Sequence, residues 1–122
     1  RRQRQMCIRD RYMENKIVDG KMKTAKYPMI LYNLSNWFGD EKCHMEAFQM
    51  AEEGADFCVK YGNFVAFPIL VFNKGASLAE LGMIDEAKKY LHQAITILEA
   101  MKKPKRVKIA IDWCKEHYDI EF

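Results

Sequence analysis

Tyr27-Pro28-Met29-Ile30-Leu31-Tyr32-Asn33 and, forty residues later, Phe67-Pro68-Ile69-Leu70-Val71-Phe72-Asn73 carry one pattern twice: aromatic, proline, three apolar residues, aromatic, asparagine. The register holds beyond the motif, since Glu46-Ala47 precedes Glu86-Ala87 by the same forty residues. A fixed period of this size marks stacked helical repeats, in which each unit buries its apolar face only against a neighbour. Repetition therefore sets the expected fold class before any single element is considered.

Outward from the motif, proline suits the first turn of a helix, where its missing N–H costs nothing, so Pro28 opens a helix over about 28–41. Gly39, Asp40, Glu41 and Lys42 break it. From Met45 apolar residues return at Phe48, Ala51, Ala55 and Cys58, spacings that place them on one helical face. This second helix closes near Tyr61-Gly62-Asn63, residues that tolerate the left-handed conformation. The motif then predicts a third helix over about 68–81, with Gly82 supplying a tight turn. Asp85 is expected to cap a fourth helix, whose apolar face is Ala87, Leu91, Ala94, Ile95 and Leu98. Pro104 marks its end.

The last segment, 105–117, places Val107, Ala110, Ile111 and Cys114 on one side and Lys105, Arg106, Lys108, Asp112, Lys115 and Glu116 on the other. On the forty-residue offset it falls where the first and third helices fall. Its polar back is what the end of a helical stack needs, because no further unit covers it. The expected architecture is all-α: an antiparallel helix-pair solenoid of two repeats plus a C-terminal capping helix, spanning 27–122.

The rest of the chain is set apart. Residues 1–12, RRQRQMCIRDRY, resemble a translated sequencing-adapter tail and are excluded from fold reasoning as a non-native tail, with a basic nucleic-acid-binding arm as the competing reading. They hold five arginines against Asp10, so the formal charge of +3 is local and the remainder is close to neutral. Residues 13–26 are polar, with only Ile17, Val18 and Met22 to bury, and read as a linker or partial helix.

A chain of 122 residues, 49% hydrophobic and 30% charged, is ordinary for one soluble domain. No apolar run approaches the roughly 20 residues of a membrane span, so no membrane partner is expected. Cys7, Cys43, Cys58 and Cys114 form no C-x-x-C pair and read as reduced thiols of a cytoplasmic protein. His44, His92 and His117 lie in separate segments, and Cys43-His44 is no zinc signature, so neither metal nor cofactor is expected. No phosphate loop or nucleophile motif is present, and catalysis is not expected. The lysine-rich run around Pro104 reads as a solvated face. Trp37, Trp113 and the eight methionines offer an adaptable interface, but at helical spacing such residues are more often core, and the core is the expectation.

The second helix pair resembles a tetratricopeptide repeat. Gly75 stands at that family's small position in the first helix, Leu78 at the large one after it, Gly82 at the turn, and Ala87, Leu91 and Ala94 along the second helix. In the first pair Leu31, Leu34, Ser35, Phe38, Ala47 and Ala51 fit, while Lys42 replaces the turn glycine and Gly54 the late alanine. Val71 stands where tryptophan is usual and Lys74 where leucine is, so the repeats are degenerate. With LYNLS, FNKG and LGMIDEAKKYL, residues 27–122 resemble the C-terminal regions of helix-turn-helix regulators of the Rgg and PlcR type. That resemblance implies a sensor half that dimerises and binds a short signalling peptide, with DNA contacted only through an N-terminal head that this chain lacks. A tetratricopeptide-type interaction scaffold without a regulatory ligand is the alternative.

Within this frame Asn33, Asn36 and Asp40, and Asn73, Ser77 and Glu80, form polar stripes at spacings of three and four on otherwise apolar first helices. First helices line the inner surface of such stacks. An asparagine there offers a donor and an acceptor, matching the backbone of an extended peptide. Tyr32, Phe72, Met29 and Ile69 supply flanking apolar pockets. The candidate peptide site is therefore Asn33, Asn36, Asn73, Ser77, Tyr32, Phe72, Met29 and Ile69. The competing role for Asn33 and Asn73 is a bond to a neighbouring helix that fixes the stack.

Overall fold

The computed structural model describes residues 26–122. The expected tail at 1–12 and almost all of the expected linker at 13–26 lie outside the described residues; Lys26 opens the first helix. Five helices follow one another: α1 Lys26–Asp40, α2 His44–Tyr61, α3 Phe67–Glu80, α4 Ile84–Ala100 and α5 Pro104–Tyr118, with no strand among the described residues. Prolines open α3 and α5, and Pro28 lies in the first turn of α1.

The connections share one geometry. Lys42, Gly62, Gly82 and Lys102 adopt the left-handed conformation, with φ of 62°, 76°, 83° and 57°. After each, the next backbone N–H donates to the carbonyl five residues back: Cys43 to Phe38 at 2.8 Å, Asn63 to Cys58 at 2.9 Å, Met83 to Leu78 at 2.9 Å and Lys103 to Leu98 at 3.1 Å. This bond satisfies a carbonyl that the helix end would leave orphaned. The left-handed residues of these turns thus recur every twenty residues.

The uniform turn corrects the expected cap at Asp85. Met83 occupies the capping position without a side-chain bond, and Asp85 lies inside the first turn of α4 beside Glu86. The turn delivers Met83 directly to the helix start, so Asp85 acts through the helix dipole instead. After α2, Asn63 caps by side chain: its Oδ1 accepts from the N–H groups of Val65 and Ala66, both at 3.2 Å.

Lysine lacks glycine's freedom at positive φ, and the left-handed form costs a residue with a Cβ about 1–2 kcal/mol. Part of this is offset by glycine's larger unfolded-state entropy. Lys42→Gly and Lys102→Gly are each expected to raise unfolding free energy by about 0.5–1 kcal/mol in urea titration. A loss of stability in both would contradict the turn geometry.

The buried core falls into three clusters along the five helices. Tyr27, Leu31, Leu34, Phe38, Ala47, Met50 and Phe57 join α1 to α2. Ala55, Cys58, Leu70, Val71 and Ala94 link α2, α3 and α4. Leu78, Ala87, Leu91, Cys114 and Ile120 close the last interface. Helices cross closely at glycines: a Cβ on Gly54 would meet Leu70 Cδ2 at 2.8 Å, and one on Gly75 would meet Leu91 Cγ at 2.6 Å. Lys74, which takes the place of an expected leucine, is buried and holds its ammonium 4.4 Å from the Tyr90 ring centroid and 5.9 Å from that of Phe48.

The expectation that methionines and tryptophans are core residues is corrected. Of the described methionines only Met50 is buried, and Trp113 is 45% exposed while Trp37 packs half-buried against the first cluster. Small alanines fill the helix crossings, leaving no room there for longer side chains. Beyond α5, Asp119 turns left-handed and sends Ile120 back into the core.

Candidate functional site

Side chains of α1, α3 and α5 together line one groove. At the end where α3 begins, Tyr32, Asn36, Pro68, Ile69, Phe72, Asn73, Leu98, Arg106, Ile109, Ala110 and Trp113 enclose about 480 Å³. Towards the end where α3 stops, Ser35, Asn36, Asp40, Phe72, Asn73, Ser77, Glu80, Trp113 and His117 line a further space of about 630 Å³. Asn36, Phe72, Asn73 and Trp113 belong to both, so the two spaces are continuous. The first half is walled mainly by apolar side chains and the second by polar ones.

Six of the eight expected residues line this groove: Tyr32, Asn36, Ile69, Phe72, Asn73 and Ser77. Met29 and Asn33 do not; both are exposed on another face of α1. The forty-residue offset makes Asn33 the counterpart of Asn73 in sequence but not in surroundings. Asn73 Nδ2 donates to Asn36 Oδ1 at 2.9 Å and to Ser35 Oγ at 3.3 Å, both on α1. No earlier helix stands in that relation to α1 among the described residues.

Asn73 therefore makes the bond to a neighbouring helix that was weighed for it, and it also borders the groove. Its amide N–H groups tie α3 to α1, while the side chain remains on the groove wall with its carbonyl oxygen still able to accept. Ser35 completes the relay, its hydroxyl donating to the Ala47 carbonyl at 2.9 Å. Ser77, though buried, borders the polar half.

Residues of α5 were missed as groove residues. Arg106 was expected on a solvated face, but it lines the apolar half with Ile109, which is 66% exposed, and Trp113. The signal was present: Ile109 and Trp113 lie forty residues after Ile69 and Asn73. Trp113 is held by its neighbours. Its ring stacks on His117 at 3.7 Å and 13°, its Nε1–H donates to the Tyr118 hydroxyl at 3.5 Å, and the His117 Nδ1 lies 3.1 Å from its carbonyl. Burial pushes the Tyr118 hydroxyl above the usual phenol range, against the opposing effect of that bond from Trp113, so it stays a neutral partner.

No protein-family model, curated protein or solved structure matches the chain. Among the described residues no group of three His, Cys, Asp or Glu side chains could hold a metal, and no helix is long and apolar enough to cross a membrane. The groove instead offers hydrogen-bonding amides beside exposed aromatic and aliphatic surface.

The described thiols sit apart from the groove. Burial pushes Cys58 and Cys114 up to about 11, because a thiolate in the core would lose its hydration. At pH 8 iodoacetamide is expected to label Cys43, which is partly exposed, while Cys58 and Cys114 react only after unfolding, as peptide mass mapping would show. The same shift makes stability depend on pH. Between about 9 and 11 the folded thiols keep protons that the unfolded chain has lost, so stability falls as pH rises through that window.

Proposed function

We propose that this domain is a non-catalytic, tetratricopeptide-like peptide-binding module, which takes a short extended peptide into the groove between α1, α3 and α5. The observation that carries the reading is the convergence of six sequence-selected residues from two repeat units on a single groove, completed by Ile109 and Trp113 of the last helix. Exposed apolar side chains in a concave surface supply burial, and amides at its wall supply backbone hydrogen bonds contributing about 0.5–1.5 kcal/mol each. The resemblance to Rgg- and PlcR-type regulators extends the proposal: peptide binding changes groove or dimer geometry and is passed to a DNA-binding head in a longer parent protein.

A second reading is supported by the Asn73 bonds to α1. On that reading the asparagine serves the stack, and the domain is an interaction scaffold with no regulatory ligand.

The test is panning of a random hexapeptide library on the protein, with individual hits titrated by Trp113 emission in a Trp37→Phe background. Hits are expected to lose most of their affinity on Phe72→Ala or Ile109→Ser. Asn73→Ala separates the two roles: weaker binding at a nearly unchanged melting temperature supports the groove, and a large fall in melting temperature with unchanged affinity supports the scaffold. Hits indifferent to all three substitutions would remove the groove from consideration.

A further inference from the structure

Three charges on the groove stand at helix ends whose dipoles oppose them. Asp40 is the last residue of α1 and Glu80 the last of α3, forty residues apart, where the negative end of the macrodipole disfavours a carboxylate. Arg106 lies in the first turn of α5, where the positive end disfavours a cation. Local helix stability accounts for none of these placements. Among the described residues Arg106 and Asp40 have no ion pair or hydrogen bond, and Glu80 has one ion-pair partner, His44 at 3.9 Å, while its charge also reaches Tyr118.

The charges are also sorted along the groove. Among the described residues Arg106 is the only charged one lining the apolar half, while both carboxylates lie in the polar half. Lys42 borders that half as well, so its formal balance is one negative charge with the histidines neutral. The rise of α3 sets the distance: from Pro68 to Glu80 is about 18 Å at about 1.5 Å per residue. An extended chain advancing about 3.3 Å per residue covers this with five or six residues.

We propose that the groove reads the charge polarity of its peptide, binding it in one direction with a carboxylate at Arg106, apolar side chains against Ile69, Phe72 and Ile109, and an ammonium at Asp40 and Glu80. This rests on the peptide-binding reading and adds to it a length and an orientation. Guanidinium–carboxylate bonds are strong and directional, so the carboxylate end fixes register. Reversing the peptide would place like charges together at both ends. The carboxylate is either the peptide's own terminus or an acidic side chain near it, two sources with the same chemistry.

The experiment uses the full chain and four pools of hexapeptides drawn from Ala, Leu, Phe, Ser, Asn and Gly, titrated by Trp113 emission in the Trp37→Phe background. One pool has free termini, one an amidated C-terminus, one an acetylated N-terminus, and one an amidated C-terminus preceded by Asp. Amidation is expected to weaken binding about tenfold or more, and Arg106→Gln to abolish the difference between acid and amide. Acetylation is expected to weaken binding in the same way, with that difference abolished by Asp40→Asn combined with Glu80→Gln. Recovery in the Asp pool assigns the carboxylate to a side chain; no recovery assigns it to the terminus.

Arg106→Gln and Asp40→Asn are also expected to leave the melting temperature unchanged or raised, since each relieves an unfavourable dipole contact. Equal binding of all four pools overturns the polarity and leaves the peptide groove standing. Discrimination that persists in the charge-removed variants overturns the assigned residues. Failure of every pool to bind overturns the groove reading together with this one.

Discussion

Leu91→Ala is expected to lower the unfolding free energy by about 2–5 kcal/mol, measured by urea titration. Leu91 is fully buried and lies against Gly75, where α3 and α4 are in close contact. A Cβ added to Gly75 would stand 2.6 Å from Leu91 Cγ and 3.1 Å from its backbone nitrogen. Gly75→Ala gains about 1 kcal/mol of helix propensity, but overpacking of this kind costs about 1–3 kcal/mol. The two substitutions share one space, so they should not add. In the double variant Leu91→Ala makes room for the new methyl group, and a favourable coupling of about 0.5–3 kcal/mol is expected. Strict additivity would show that Gly75 and Leu91 do not share this space. The backbone nitrogen stays in place, so full compensation is not expected either.

Tyr27→Ala should be comparably damaging, at about 3–5 kcal/mol, because it removes the largest fully buried side chain of the first cluster. The ring meets Phe57 edge-on at 4.8 Å, and Phe57 in turn meets Tyr61, so one aromatic chain seals that end of α1 against α2. Tyr27→Phe keeps the ring and loses the hydroxyl's bond to Glu53 Oε1, seen at 3.0 Å, for an expected cost of about 0.5–1.5 kcal/mol. If the two variants were equally unstable, the polar contact rather than the packing would be holding this end together.

The helices were legible because the signals that make them are local. Pro28 and Pro68 begin helices for covalent reasons, Gly62 and Gly82 end them for steric ones, and the apolar spacing between them determines which face turns inward. Lys42 and Lys102 were harder to read, since a lysine at positive φ is imposed by the packing on either side of the turn. The groove was half legible. Residues of α1 and α3 could be found by comparing the two motifs, but α5 departs from the motif and its charges suggested only solvent. Arg106 and Trp113 gain their surroundings from α3 and α4, across a distance in sequence that periodicity does not measure. Asn33 differs for the opposite reason: it repeats the motif faithfully, yet among the described residues no helix stands to α1 as α1 stands to α3.

The four left-handed residues at 42, 62, 82 and 102 carry a consequence for how such a chain can change in length. Their even spacing makes the helix pair, turn included, an interchangeable segment of the gene. Duplicating or deleting one forty-residue segment would leave every turn in phase and every helix with a partner, whereas a gain or loss of a few residues would rotate a buried face into solvent. A gain or loss of one such segment would lengthen or shorten the groove in one discrete step.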